Sequence, residues 1–428
     1  HYNSPMHSIQ KSISSNATTI LVFLVALAWL GGILILQLRP PTLALGETAS
    51  WWTTSLNLIH GHGYSLCIQY YFPFCNAGNQ VSAAREPLPV LLFAGIAMLF
   101  KESLLAAGVT ELFIHIAIMI TLFFLTGELI DPFAGLIAAL AWAVYPEAIG
   151  LISQVSGDLL AALGVTFGML FIIRARKSDR VRDWLLAGLG LGIAALSRSA
   201  TMVIAGVIII GLIIEHWKLK ETILTRLRPA LLVGLVVLAL MAPWFIRNEI
   251  VFGQPVLGST LVGYNLYRQN YMLGTSTNFH YVGTNEGWQA IQNLIARRTD
   301  LRGTENEAQM NQVYLQEGLQ VIASHPAQYL LLSLFRFLPL WLDWGVSQAF
   351  GYSPGLFEYT MMAIQLILLA LALLGLRKNI RQTWLVWIGI IALSAVYMAV
   401  DSRMLYIVCA MPLVICLSVV GGKEILKY

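Results

Sequence analysis

Ten runs of apolar residues, most of them near the length of a bilayer crossing, constrain this chain more than anything else in it. They cover residues 17–38, 104–127, 134–152, 159–173, 184–196, 201–214, 230–246, 359–376, 384–400 and 404–420. A helix needs roughly 20 apolar residues to cross the hydrocarbon, and only helices or closed barrels satisfy their backbone groups there. Composition agrees: the 428 residues are 57% hydrophobic and 11% charged, where a soluble domain carries about 25% charged residues. The fold class is therefore an all-α polytopic membrane protein, a single transmembrane domain over residues 1–428. The run 17–38 is too long for the core of a signal peptide and no small-residue cleavage site follows it, so it is expected to remain as the first spanning helix.

Two further segments are marginal. Residues 88–100 form a short apolar run, and 329–344 carry Arg336 and Asp343. The densest basic loops are 174–182, 218–228, 377–381 and 423–427. By the positive-inside rule all four belong in the cytoplasm, together with Lys11. That holds only if neither marginal segment fully crosses. The expectation is about ten spanning helices plus two interfacial or re-entrant segments, with both termini inside.

This topology sends the remaining polar stretches to one outer face: 46–89, 147–158, 197–199, 247–326 and 401–403. The first outer loop spans 39–103 and includes an interfacial helix; the long outer loop spans 247–327. Within the latter, residues 304–323 have the spacing of an amphipathic helix, stopped by His325-Pro326. Polar groups kept against a membrane usually act in function. Glu47 and Asp158 are carboxylates at the outer ends of different helices, suited to general acid/base work if partly buried and to solvated helix flanks if not. Arg85, Arg198, Arg247, Arg268 and Arg403 share the face, against the usual bias. Guanidinium forks match phosphate oxygens two at a time, and a lipid phosphate is the partner such a cluster suits; snorkelling to headgroups is the alternative for each.

Cys67 and Cys75 lie in the first outer loop and form a disulfide if that loop faces an oxidising compartment; otherwise they are two loop thiols. Cys409 and Cys416 sit in an apolar helix as packing residues. His60-Gly61-His62 has either the look of two metal ligands or of a turn. Glu111 and His115, one helical turn apart inside a span, read as a structural contact. The patterns GxxxxGK[ST], HExxH and CxxC are absent. The basic residues sit in short loops, which gives nucleic-acid binding no support.

Several strings in order give the chain a wider resemblance. Gly46-Glu47-Thr48-Ala49-Ser50-Trp51-Trp52 with Gly61-His62-Gly63-Tyr64 follows the first span; Arg85-Glu86-Pro87-Leu88-Pro89 opens the short apolar run. Then come Ala195-Leu196-Ser197-Arg198, Ala242-Pro243-Trp244-Phe245-Ile246-Arg247-Asn248, Gly263-Tyr264-Asn265-Leu266 and Asp401-Ser402-Arg403. Together they resemble membrane glycosyltransferases of the GT-C class, the group of the protein O-mannosyltransferases and the lipid A aminoarabinose transferase. The resemblance implies transfer of a sugar from a polyprenyl-phosphate carrier to a glycan, lipid or protein acceptor on the periplasmic or extracytoplasmic face, in a bacterial plasma membrane serving the cell envelope. It gives Glu47 the role of activating the acceptor hydroxyl, with Asp158 as second acid. Arg85 and Arg403 fall to the donor phosphate, as do Arg198, Arg247 and Arg268. Glu86, Tyr64, Tyr264 and Asn265 become further substrate contacts. Some relatives add a divalent cation, for which Glu47, Glu86 and Asp158 are the carboxylates. Many relatives carry Asp at the position of Glu47, and the chain is expected to lack the large soluble C-terminal domain of some.

Two other classes compete with this reading. A flippase for a lipid-linked glycan needs charge along a path through the bundle, whereas here it gathers at one face. A partner subunit with a decayed site would have lost the paired carboxylates.

Overall fold

The computed structural model describes residues 5–44, 47–75, 80–217, 222–275 and 278–425, with side chains from residue 16 onward except 377–379. Gly46 and Asn79 of the first outer loop, Lys218 and Lys220 of the second basic loop and Lys427 lie outside the described residues, as do the side chains of Lys11, Arg377 and Lys378. The helices run α1 Pro5–Leu38, α2 Thr48–Ile59, α3 Pro87–Leu99, α4 Leu104–Leu129, α5 Pro132–Ala143, α6 Pro146–Leu151, α7 Asp158–Ser178, α8 Val181–Ser197, α9 Met202–Trp217 and α10 Ile223–Phe252. They continue with α11 Val262–Asn270, α12 Thr284–Arg297, α13 Glu307–Ser324, α14 Pro326–Phe335, α15 Phe337–Leu342, α16 Val346–Ala349, α17 Leu356–Val400, α18 Met404–Ile407 and α19 Met411–Ile425. No strand is present among the described residues, only a bridge between Ser65 and Val81.

Eight helical segments among the described residues are long and apolar enough to cross a membrane: 16–38, 104–129, 158–178, 199–217, 223–252, 356–376, 380–400 and 404–425. The two runs missing from this set are the ones at 134–152 and 184–196. The first breaks into α5 and α6 where Pro146 removes a backbone donor. The second is α8, 17 residues with Arg182 and Asp183 in its first turn.

Side-chain contacts nevertheless fix which end of each helix lies where. Near the end of α4, Glu128 meets Arg174 at 3.0 Å and Lys177 at 3.1 Å, close to the end of α7. Near its start, Glu111 accepts from the Ser156 backbone at 3.1 Å, just ahead of α7. The two helices are thus parallel, and the α5–α6 segment between them returns across the full thickness of the bundle. Arg198 after α8 meets Asp158 at the start of α7, so α8 covers the same height in reverse. On the basic face Arg176 joins Glu215 and the Arg381 and Gln382 carbonyls, Arg228 joins Asp179, and Lys423 joins Asp131. The other face gathers Glu47, Arg85, Asp158, Arg198, Arg268 and Asp401.

Glycines let neighbouring helices meet closely. A Cβ on Gly164 would come within 2.6 Å of the Ala194 backbone and one on Gly190 within 2.5 Å of Gly168, so α7 and α8 approach backbone to backbone. Around them a buried core joins α4, α5, α9, α17 and α19 through Met119, Trp142, Ile208, Leu385 and Met411. Large apolar side chains on α1 and α10, such as Leu30 and Leu238, stay exposed as a lipid-facing surface requires.

The marginal segments stay on the site face. The 13-residue α3 runs beside α2, with Ser55 Oγ donating to the Val90 carbonyl at 3.1 Å. Residues 326–342 break into α14 and α15 at Arg336, which is buried and donates to the Met398 and Ala399 carbonyls at 3.1 Å and to the Gln269 carbonyl at 2.5 Å. It thereby ties the end of α17 to the end of α11. The amphipathic helix of the long loop is α13, opened by an Asn306/Gln309 capping box. Two further helices, α11 and α12, precede it. Cys67 and Cys75 form a disulfide, and this loop packs through Phe72 and Tyr71 on Tyr264, Ile291 and Tyr314 of the three loop helices.

Candidate active site

The polar centre is built where α2, α3, α7 and α8 end or begin together. Gly157 lets the chain pass there: a Cβ on it would lie 2.3 Å from the Ser197 carbonyl and 3.2 Å from Trp51. Asp158 follows at the head of α7 and is 1% exposed. Arg198 donates to it in a fork, Nε to Oδ1 at 2.6 Å and Nη2 to Oδ2 at 3.0 Å. Nη1 of the same guanidinium stands 3.6 Å from Glu47 Oε2. That oxygen also accepts from Arg85 Nη1 at 3.0 Å and from Trp51 Nε1 at 3.4 Å. Arg85 is in turn fixed by Ser50 Oγ at 2.8 Å and stacks on Trp51. The result is an alternation of charge, buried except at the partly exposed Glu47: Asp158, Arg198, Glu47, Arg85. Burial works to raise the Glu47 pKa, but Arg85, Arg198 and Arg403 override it and hold the carboxyl down at about 2.

Glu47, Arg85 and Arg198 head a cavity of about 530 Å³. Glu86, Ser199, Asn265, Asp401 and Tyr406 add polar groups, while Met202, Val203, Val396 and Val400 make an apolar wall from the membrane helices. Glu86 opens α3 and accepts from the Ser199 backbone at 2.9 Å and its hydroxyl at 2.8 Å, holding the turn that follows Arg198. Arg403 is not part of the cavity wall. Its guanidinium lies over Phe350 with no hydrogen bond or ion pair among the described residues, and its charge reaches Glu47 and Asp343.

Residues 84–246 match the family model described as dolichyl-phosphate-mannose-protein mannosyltransferase. The chain is similar to a solved structure of the archaeal oligosaccharyltransferase AglB from Archaeoglobus fulgidus, in complex with an inhibitory peptide and a dolichol-phosphate. The TM-score is 0.53 at 14% identity, over 95% of this chain and 50% of AglB. The fold is of the GT-C type. A second AglB structure, in complex with Zn and sulfate, gives a TM-score of 0.50 at 14% identity over 94% of this chain and 49% of that one. ArnT from Cupriavidus metallidurans bound to undecaprenyl phosphate gives 0.45 at 11% identity, over 95% and 77%. The chain spans about half the length of AglB. No curated protein matches the sequence.

Not every residue singled out in the sequence converges on Glu47. Arg247 donates to the Ser82 and Tyr64 carbonyls at 2.9 and 3.3 Å and stacks on Tyr64 and Trp244. It clamps the segment leading to Arg85. Tyr64 assists, its hydroxyl donating to the Arg85 carbonyl at 2.9 Å. Arg268 is 7% exposed and pairs with Asp401 at 2.5 Å. Tyr264 is buried among Tyr70, Tyr71 and Tyr314. His60 pairs with Glu102 at 2.6 Å near the surface. Glu111 and His115 do not bond each other: Glu111 holds Ser156, and His115 stacks on Trp142. Gly351-Tyr352-Ser353-Pro354-Gly355 spells the GxSxG of a nucleophile elbow, but it precedes α17 with no strand before it among the described residues.

The carboxylates do not form a donor set for a divalent cation. Glu47 and Asp158 each face guanidinium groups and Glu86 faces Ser199, and no group of three His, Cys, Asp or Glu side chains converges among the described residues. No step below is routed through a metal.

Proposed function

We propose that this chain is a glycosyltransferase that moves a sugar from a polyprenyl-phosphate carrier to an acceptor hydroxyl at the face bearing Glu47. The observation that carries the reading is the cavity headed by a carboxylate between two guanidinium groups and walled by membrane-helix side chains. Such a chamber suits an amphiphile with an anionic head. The mannosyltransferase family model and the dolichol-phosphate held by AglB point to the same substrate class.

In the reaction the acceptor oxygen bonds to the anomeric carbon as the bond from that carbon to the phosphate oxygen breaks, and the electron pair leaves with the phosphate. The acceptor proton passes to Glu47. Arg85 and Arg198 offset the growing phosphate charge, and Arg403, whose guanidinium has no ion pair among the described residues, adds its charge from outside the cavity wall. As the guanidinium groups turn toward phosphate, Glu47 loses the partners that hold its pKa down and its basicity recovers. The site thus couples donor binding to base strength.

The assay is incubation of the purified full chain with a sugar-charged polyprenyl phosphate and candidate acceptors. Release of polyprenyl phosphate with a glycosylated product is expected. Movement of intact carrier across a vesicle bilayer without cleavage would replace the reading with a flippase. The face bearing Glu47 is assigned to the extracytoplasmic side, because Arg174, Arg176, Lys177, Arg228, Arg381 and Lys423 occupy the opposite one. An impermeant thiol reagent added outside cells should label a cysteine at His62 and spare one at Lys177; the reverse pattern would invert the orientation.

A further inference from the structure

Asp401, at the end of α17, lines the cavity and is 2% exposed. One oxygen is fully engaged: Oδ2 accepts from Arg268 Nη2 at 2.5 Å and from the Tyr406 hydroxyl at 3.5 Å. The other, Oδ1, has no partner among the described residues. The carboxylate cannot swing to cover it, because Arg268 is itself packed between Tyr264 and Tyr281 and donates to the Val282 carbonyl at 3.3 Å. A buried acceptor left unpaired is costly, and one in a cavity wall is placed for a donor that the cavity's occupant can bring.

The chemistry of that oxygen narrows the ligand. An ionised carboxylate only accepts, from O–H or N–H groups. It repels phosphate, for which the same cavity offers Arg85 and Arg198. A polyprenyl chain has no donors and a phosphodiester has none either. In a polyprenyl-phosphate sugar, the sugar is the part that brings them.

Taking the glycosyltransferase reading as its premise, we propose that Asp401 Oδ1 receives a hydroxyl or amino group of the transferred sugar. It thereby selects neutral or amino sugars over sugars that carry a carboxylate of their own. A sugar hydroxyl completes the unpaired acceptor, whereas a uronate would set two carboxylates against each other in a closed space.

The test measures kcat/KM of the full chain with a polyprenyl-phosphate hexose and the matching hexuronate, plus the affinity for free polyprenyl phosphate. The wild-type chain should favour the hexose by at least about tenfold, and Asp401→Asn should lower hexose kcat/KM about 10- to 100-fold, in the range of a lost bond to a charged group. The preference should shrink to within about threefold while polyprenyl phosphate still binds. Asp401→Glu keeps the pair with Arg268 but displaces the free oxygen, and should also blunt the preference; it decides the matter if Asp401→Asn no longer binds the lipid phosphate. A wild-type chain that cleaves both donors equally, or variants that keep the wild-type ratio, overturn this inference alone. A wild-type chain that cleaves neither overturns the glycosyltransferase reading and this inference with it.

Discussion

Glu47→Gln should lower single-turnover rate by about two to four orders of magnitude, the span of a lost general base, while donor still binds. Gln has the same shape and can accept from Arg85 Nη1 and Trp51 Nε1 as Glu47 does, but it takes no proton. The expectation for affinity has a sign as well. Glu47 occupies the guanidinium groups that the phosphate needs, so removing its charge should leave donor affinity unchanged or tighter. A loss of affinity matching the loss of rate would mean that Glu47 organises the cavity instead of accepting the proton. The pH profile separates these cases further. Because kcat/KM reports groups in the free enzyme, and the free-enzyme Glu47 carboxyl is held at about 2, no acid limb from it should appear near the ordinary carboxylate value. The folded pKa lies below the unfolded one, so the stability that Glu47 contributes is present above the unfolded value and is lost as pH falls toward about 2.

Much of the architecture can be read from run lengths. Ten apolar stretches and four basic loops suffice to sort the helix ends onto two faces, since bilayer thickness and loop charge are properties of residue type alone. Where the reading falls short, the cause is local. Residues 134–152 look like one span, yet Pro146 splits them; the proline was visible, and its missing donor was the signal. Helix α12 was likewise visible, with Gly287, Ala290, Ile291 and Leu294 on one face at helical spacing. Helix α11 offers less, because most of its nine residues are polar or aromatic.

Pairing is what residue type does not supply. Asp158 and Arg198 read as separate site groups, while in the structure Arg198 forks onto Asp158 across 40 residues of chain. Arg247 has the position of a phosphate ligand and the contacts of a backbone clamp. Asp401 stood in the sequence only as part of a string beside Arg403; its free oxygen exists because Arg268, from a different loop, fills the other one. Partner choice of this kind depends on which helix ends meet, and here that follows from backbone contacts such as those of Gly157 and Gly164.

The second large effect should come from Arg198, which serves folding and chemistry at once. Arg198→Ala leaves Asp158 buried without its partner, and stripping one member of a buried pair costs about 3–5 kcal/mol. The single variant should therefore melt far below wild type and show no turnover, a result that cannot separate the two roles. Replacing both members can. With Asp158→Leu and Arg198→Met together, apolar groups of similar bulk take the place of two buried charges, a swap that is often neutral or stabilising. Most of the lost melting temperature should return. Turnover should not, because Glu47 and the donor phosphate still lack a guanidinium that Arg198 holds 3.6 Å from Oε2; a deficit of at least about a hundredfold is the scale of one lost transition-state donor. Arg198→Lys should fall between, since a single ammonium cannot fork onto Asp158 and reach Glu47 together. A well-folded double variant with near-normal turnover would reduce the Asp158–Arg198 pair to scaffolding, and the phosphate charge would then fall to Arg85 and Arg403.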